Sequence, residues 1–137
     1  MAFGTFSLIH PGHIHYLTEA KKLSDELIVV VARDSTVRRV KGKCVVPEEQ
    51  RRKVVESLKP VDEAILGNEE DKYKVIEKYK PQVIVLGPDQ EEDTDRLKYE
   101  LSKRGLNPKI VRISRLRGNL FNSSKLLKFL CESSLPK

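Results

Sequence analysis

Tryptophan is absent from the 137 residues, methionine occurs once, cysteine twice, and aromatic residues make up only 6%. Each scarcity closes off a class of protein. Cys44 and Cys131 are too few and too far apart for a disulfide framework or a zinc site, so a reducing cytoplasm is the expected location. With no tryptophan and few rings in all, there is little stacking surface for single strands, which argues against nucleic acid as a partner. The longest uncharged apolar run, 27–32, is far short of the roughly 20 residues a membrane span needs. The first seven residues carry no basic region ahead of an apolar stretch, so no secretory signal is expected. Internal repeats, linkers and low-complexity segments are also missing.

What is present fits a single globular domain over residues 1–137. Hydrophobic residues make up 39% and charged residues 34%, enough apolar surface for a core and too much for wholesale disorder. The balance of 26 Lys and Arg against 20 Asp and Glu gives a net charge of +6, which suits a phosphorylated small molecule as well as it suits nucleic acid. The densest basic stretch runs over 33–43, followed by Arg51, Arg52 and Lys53.

Apolar runs alternate with helical patterns along the whole chain. Strands are expected over 2–6, 27–32, 61–66, 82–87 and 109–114, the second being β-branched enough for burial on both faces. Helices are expected over 11–23, 47–59, 69–79, 94–105 and 123–131, with Pro11 and Pro47 suited to first turns. This alternation predicts an α/β fold, a doubly wound five-stranded parallel sheet of Rossmann-like type. Ligands of such sheets bind beyond the C-terminal strand ends, where the strand order reverses. The segments just after each strand therefore hold the candidate site.

Four of them carry chemistry. In Ser7-Leu8-Ile9-His10-Pro11-Gly12-His13, Pro11 can open a helix, Gly12 lets a ligand approach the backbone, and His10 and His13 fall on one side of the first turn. The free N–H groups of a helix start form an anion site, and two imidazoles there can donate to a phosphate as a P–O bond breaks; the same histidines could instead cap the helix. Arg38-Arg39-Val40-Lys41-Gly42-Lys43 reads as a mobile basic loop, either closing on a leaving pyrophosphate or simply solvated. Gly87-Pro88-Asp89-Gln90 is a turn whose Asp89 could accept hydrogen bonds from ribose hydroxyls. Asn122-Ser123-Ser124-Lys125 caps a helix start and offers a second anion site.

Gly4-Thr5-Phe6-x-x-x-His10-Pro11-Gly12-His13 resembles the His-x-Gly-His signature of the cytidylyltransferase-like nucleotidyltransferases. The likeness continues through Ala32-Arg33-Asp34-Ser35-Thr36, Arg51 with Val61-Asp62-Glu63-Ala64, Leu86-Gly87-x-Asp89-Gln90 and Ser123-Ser124-Lys125-Leu126-Leu127. Within the family it is most similar to the archaeal FAD synthases, and next to the glycerol-3-phosphate cytidylyltransferases. The sequence departs from the usual pattern at Ser7, where relatives carry aspartate.

The resemblance implies strand order 3-2-1-4-5 and transfer of a nucleotidyl group from a nucleoside triphosphate to a phosphorylated acceptor, with release of pyrophosphate. It points to ATP and FMN as substrates giving FAD, with CTP and glycerol 3-phosphate as the alternative pair, a divalent cation, Mg²⁺, on the phosphates, and a homodimer. A nucleotide- or flavin-binding module without turnover is the non-enzyme alternative. His10 and His13 would stabilise the transition state, with Lys41 or Lys43 on the pyrophosphate and Arg51 reaching the phosphates or acceptor. Gly4, Thr5, Phe6, Gly12, Gly87, Asp89 and Gln90 would border the nucleotide, and Asn122, Ser123 and Ser124 the outer phosphates. No residue is assigned as a metal ligand.

Overall fold

The computed structural model describes residues 1–42, 46–88, 90 and 92–115. Their elements are β1 (Ala2–Gly4), α1 (Pro11–Lys21), β2 (Ile28–Val31), α2 (Asp34–Lys41), α3 (Glu48–Glu56), β3 (Glu63–Leu66), α4 (Tyr73–Tyr79), β4 (Val83–Leu86), α5 (Thr94–Lys103) and β5 (Lys109–Arg112). The strands form one parallel sheet in the order β3-β2-β1-β4-β5, as the sequence reading expects. Its reversal lies between β1 and β4, so that is where a ligand crevice opens.

Side chains alternate along each strand, and both faces are buried. On one face Tyr16, Leu17 and Ala20 of α1 and Val55 of α3 pack on Ala2, Val29, Val31, Ala64 and Val85. On the other, Ile76 of α4 and Leu97 and Leu101 of α5 pack on Val30, Ile84 and Leu86. A fully buried Val or Leu contributes roughly 1.5–3 kcal/mol, so the two layers carry the stability of the sheet. No helix of the described residues is long and apolar enough to cross a membrane.

Three local outcomes differ from expectation. The segment read as a basic loop is α2, a helix ending at Gly42, whose φ of +84° is the left-handed cap that only glycine adopts without strain. Val37 is its sole buried residue, so the periodicity that reveals longer helices is missing. β1 stops at Gly4 rather than residue 6, because Phe6 turns the chain with φ +54°. α4 starts late because Asn68 Oδ1 accepts from the Glu70 and Asp71 amides, and Asp71 Oδ1 from that of Tyr73, so two side-chain turns precede the helix. The expected helix over 123–131 lies outside the described residues.

Candidate active site

The turn after β1 is built from the inside out. Phe6 is buried, its ring packed so closely under Gly4 that a Cβ there would stand 2.7 Å from two ring carbons. The same ring meets His13 edge-on, with centroids 5.2 Å apart. His13 thus rests on a fixed aromatic support, and Gly4 is required by contact rather than by backbone freedom.

His10 and His13 form a reciprocal cap at the start of α1. His10 Nδ1 accepts from the Gly12 amide at 3.1 Å, and His13 Nδ1 accepts from the His10 amide at 3.3 Å. The rings lie 3.9 Å apart between centroids, tilted by 31°. Because each Nδ1 is an acceptor, the neutral ring must carry its proton on Nε2, and both Nε2–H edges are donors, that of His13 being the one left to bond the Leu8 backbone. The chain's own amides are consequently occupied: His13 N–H donates to the His10 carbonyl at 3.0 Å. The free N–H cradle anticipated from the sequence is replaced by a pair of imidazole donors, with the helix dipole behind them.

Electrostatics keep the pair neutral. Burial lowers the pKa of His10, and that of His13 falls to about 4 through burial first, then the nearby charges of His10 and Lys41; a hydrogen bond with the Leu8 backbone pulls the other way. The Lys41 charge at the end of α2 is therefore felt at His13. Lys43 lies outside the described residues.

Arg51 corrects the sequence reading. Its side chain is fully buried, and the guanidinium is committed to protein acceptors instead of extending toward a ligand. Nε donates to the Val46 carbonyl at 2.8 Å, Nη1 to those of Thr5 at 2.9 Å and Ala32 at 2.7 Å, and Nη2 to Asp34 Oδ1 at 2.8 Å. One side chain thereby ties the ends of β1 and β2 to the first turn of α2.

Across the crevice, the Gly87 amide donates to Gln90 Oε1 at 3.1 Å, and Gln90 Nε2 donates to the Phe3 carbonyl. Gln90 borders the crevice, but both ends of its amide serve the protein backbone. Arg112 stiffens the same turn, Nη1 donating to the Gly87 and Gln90 carbonyls and Nη2 to that of Glu92, each at 2.9 Å. Asp89, Asn122, Ser123 and Ser124 lie outside the described residues. A separate cleft of about 760 Å³ opens at the end of β3, lined by Arg33, Asn68, Lys74, Lys78 and Tyr79 among others.

The sequence reading passed over Asp34 as a partner, Tyr16 and Arg112. Arg112 had a signal: a charged residue inside the run Ile-Val-Arg-Ile must find acceptors at a strand end. Tyr16, buried on α1, carries a hydroxyl that needs a partner. Nothing in spacing marks Asp34.

With a histidine pair at the β1–α1 turn and a glycine turn opposite, the comparison with known proteins is decisive. The sequence profile described as cytidylyltransferase-like matches residues 1–129. The chain belongs to the cytidylyltransferase-like family. Among family relatives, the FAD synthase of Archaeoglobus fulgidus is 64% identical over 113 residues, covering 82% of each chain. The FAD synthase of Thermoplasma acidophilum is 52% identical over 132 residues, 96% of this chain and 93% of the relative. A crystal structure described as a lipopolysaccharide core biosynthesis protein from Thermoplasma volcanium GSS1 superposes with a TM-score of 0.83 at 49% identity, covering 85% of this chain and 96% of that one.

Proposed function

We propose that this cytidylyltransferase-like protein transfers the adenylyl group of ATP to FMN, giving FAD and pyrophosphate. An oxygen of the FMN phosphate attacks the α-phosphorus, a bond to it forms as the bond from that phosphorus to the bridging oxygen of the pyrophosphate breaks, and no covalent enzyme intermediate is needed. The acceptor is its own nucleophile, so the protein has to align two anions and neutralise the charge that builds on the phosphates.

The observation that carries this reading is the neutral imidazole pair at the head of α1. The His10 Nε2–H, of fixed tautomer and backed by a helix dipole, suits a phosphate oxygen, and the His13 Nε2–H can serve a second one by exchanging its bond with the Leu8 backbone. The charge of Lys41 also bears on His13. Gly4, Thr5, Phe6 and Gly12 shape the histidine side of the nucleotide crevice, and Gly87 the opposite wall; Asp89 on the ribose and Asn122, Ser123 and Ser124 on the outer phosphates complete the assignment. Imidazoles, hydroxyls and amides are a poor match for Mg²⁺, which seeks carboxylate oxygens, so the cation belongs with the triphosphate as part of the substrate. The relatives named FAD synthase support FMN as the acceptor. A homodimer in a reducing cytoplasm is the setting we infer.

The test is pyrophosphate release with ATP and CTP each crossed against FMN and glycerol 3-phosphate. ATP with FMN should be the productive pair. Turnover of CTP with glycerol 3-phosphate alone would replace this reading with the cytidylyltransferase one, and nucleotide binding without any turnover would leave a binding module.

A further inference from the structure

The sheet is joined differently at its reversal than elsewhere. Past the strand ends, β1 and β2, β2 and β3, and β4 and β5 each continue with a direct backbone bond: Ala32 N–H to Gly4 at 2.9 Å, Gly67 N–H to Val31 at 2.9 Å and Ile113 N–H to Leu86 at 2.8 Å. β1 and β4 share one register pair, Ala2 with Val85, and Val85 N–H donates to the Met1 carbonyl at 2.9 Å. The next bond of that ladder would join Gly87 N–H to the Phe3 carbonyl. The Gln90 side-chain amide stands between those two groups instead, accepting from Gly87 and donating to Phe3.

Directly beside it lies Tyr16, a buried tyrosine of α1. Its hydroxyl donates to the Val85 carbonyl and accepts from the Phe3 amide at 3.3 Å. The Tyr16 hydroxyl thus bridges the Phe3 amide and the Val85 carbonyl at the last registered step of the two strands, and Gln90 spans the step beyond it. Two hydrogen bonds, of 3.1 and 2.5 Å, plus an amide group replace a single bond of about 2.9 Å, which forces the strand ends apart. No backbone polar group is left unsatisfied by the opening, because the amide supplies one acceptor and one donor where they are needed.

We propose that Gln90, seated on Tyr16, is a positioning residue that sets the width of the β1–β4 crevice and with it the affinity for the nucleoside triphosphate. The inference rests on the crevice being the nucleotide site, as read above. Without the amide, Gly87 and Phe3 can bond directly and the ladder zips one step further, narrowing the crevice while leaving the sheet as well paired as before. A side chain that merely stabilises the fold would lose stability and function together; a wedge separates them.

The experiment compares wild type with Gln90→Ala, Gln90→Glu and Tyr16→Phe, using calorimetric titration with ATP, steady-state kinetics and thermal unfolding. Gln90→Ala should raise the ATP Kd and KM about tenfold or more, lower kcat at saturating ATP much less, and leave the unfolding midpoint equal or higher. Gln90→Glu keeps the size but turns the Nε2 donor into an acceptor facing the Phe3 carbonyl, so it should also weaken ATP binding. Tyr16→Phe should weaken ATP binding and lower the midpoint. An unchanged ATP Kd in folded Gln90→Ala, or a parallel fall of midpoint, kcat and affinity, would overturn the wedge. Wild-type protein that binds ATP but releases no pyrophosphate with FMN would instead overturn the functional reading, and the Kd comparison would still decide the wedge. Wild-type protein that binds no ATP overturns both.

Discussion

Arg51 and Asp34 form an ion pair at 2.8 Å in which the arginine side chain has no exposure and the aspartate side chain 21%. Three of the other guanidinium hydrogens face backbone carbonyls, so the charge is solvated largely by protein. Removing one partner of such a pair is far more damaging than the pair is stabilising, because the other is left buried and unmatched. Arg51→Ala should therefore destabilise the protein by about 3–5 kcal/mol, and Asp34→Asn, which keeps an acceptor oxygen, by clearly less. Denaturant unfolding of both variants measures the difference; equal and small losses would refute the hub.

The histidine pair both caps a helix and serves the chemistry, and substitution can separate the two roles. Asparagine is a good cap whose side-chain oxygen can accept from the Gly12 amide, but it lacks the Nε2–H. His10→Asn should hold the unfolding midpoint near wild type while lowering kcat about 10²–10³-fold. His13→Ala should lower kcat on the same scale. Normal turnover in either variant contradicts a phosphate-binding role.

Gly12 is held by a clash, not by its backbone. A Cβ there would meet His10 Cε1 at 2.8 Å and Nδ1 at 3.0 Å. Alanine is the better helix former by about 1 kcal/mol, so Gly12→Ala should cost little stability yet displace the His10 ring and reduce kcat. Circular-dichroism melting paired with kinetics checks this, and a variant with undiminished kcat would show that the ring can shift freely.

The pH dependence of stability follows from the same two rings. His13 titrates at about 4 when folded against an ordinary 6.5, and His10 is lowered too, so the unfolded chain binds more protons as pH falls below the ordinary value. The stability of the neutral pair is complete above about pH 6.5 and declines on acidification with a slope of at most about 1.4 kcal/mol per pH unit per histidine. The window from about pH 6.5 to 5 lies above the carboxylate range. Unfolding measured there should show the decline in wild type and a shallower one in His13→Ala; parallel slopes would rule it out.

How much of this was legible in the sequence follows from the range of each interaction. The β-branched runs and the His-Pro-Gly-His turn are local signals, and from them the sheet, its helices and the head of α1 could be read. α2 was hidden because a helix burying only Val37 has almost no period to detect. Arg51 was misread because a guanidinium's choice between ligand and protein carbonyls depends on Thr5 and Ala32, which lie 46 and 19 residues away. Gln90 was placed beside the nucleotide by the motif, but its bond to Phe3, 87 residues away, is set only once the strands have met.

Phe6 has one more consequence. A non-glycine residue at φ +54° stores about 1–3 kcal/mol of backbone strain, and here it is held by packing beneath Gly4 and against His13. The imidazole pair is thus not a property of the heptapeptide that spells it. Excised as a peptide, or grafted onto a scaffold that lacks a buried ring under the strand end, the same residues would relax out of the turn and the two donors would drift apart. The motif is portable in evolution only together with the sheet that bends it.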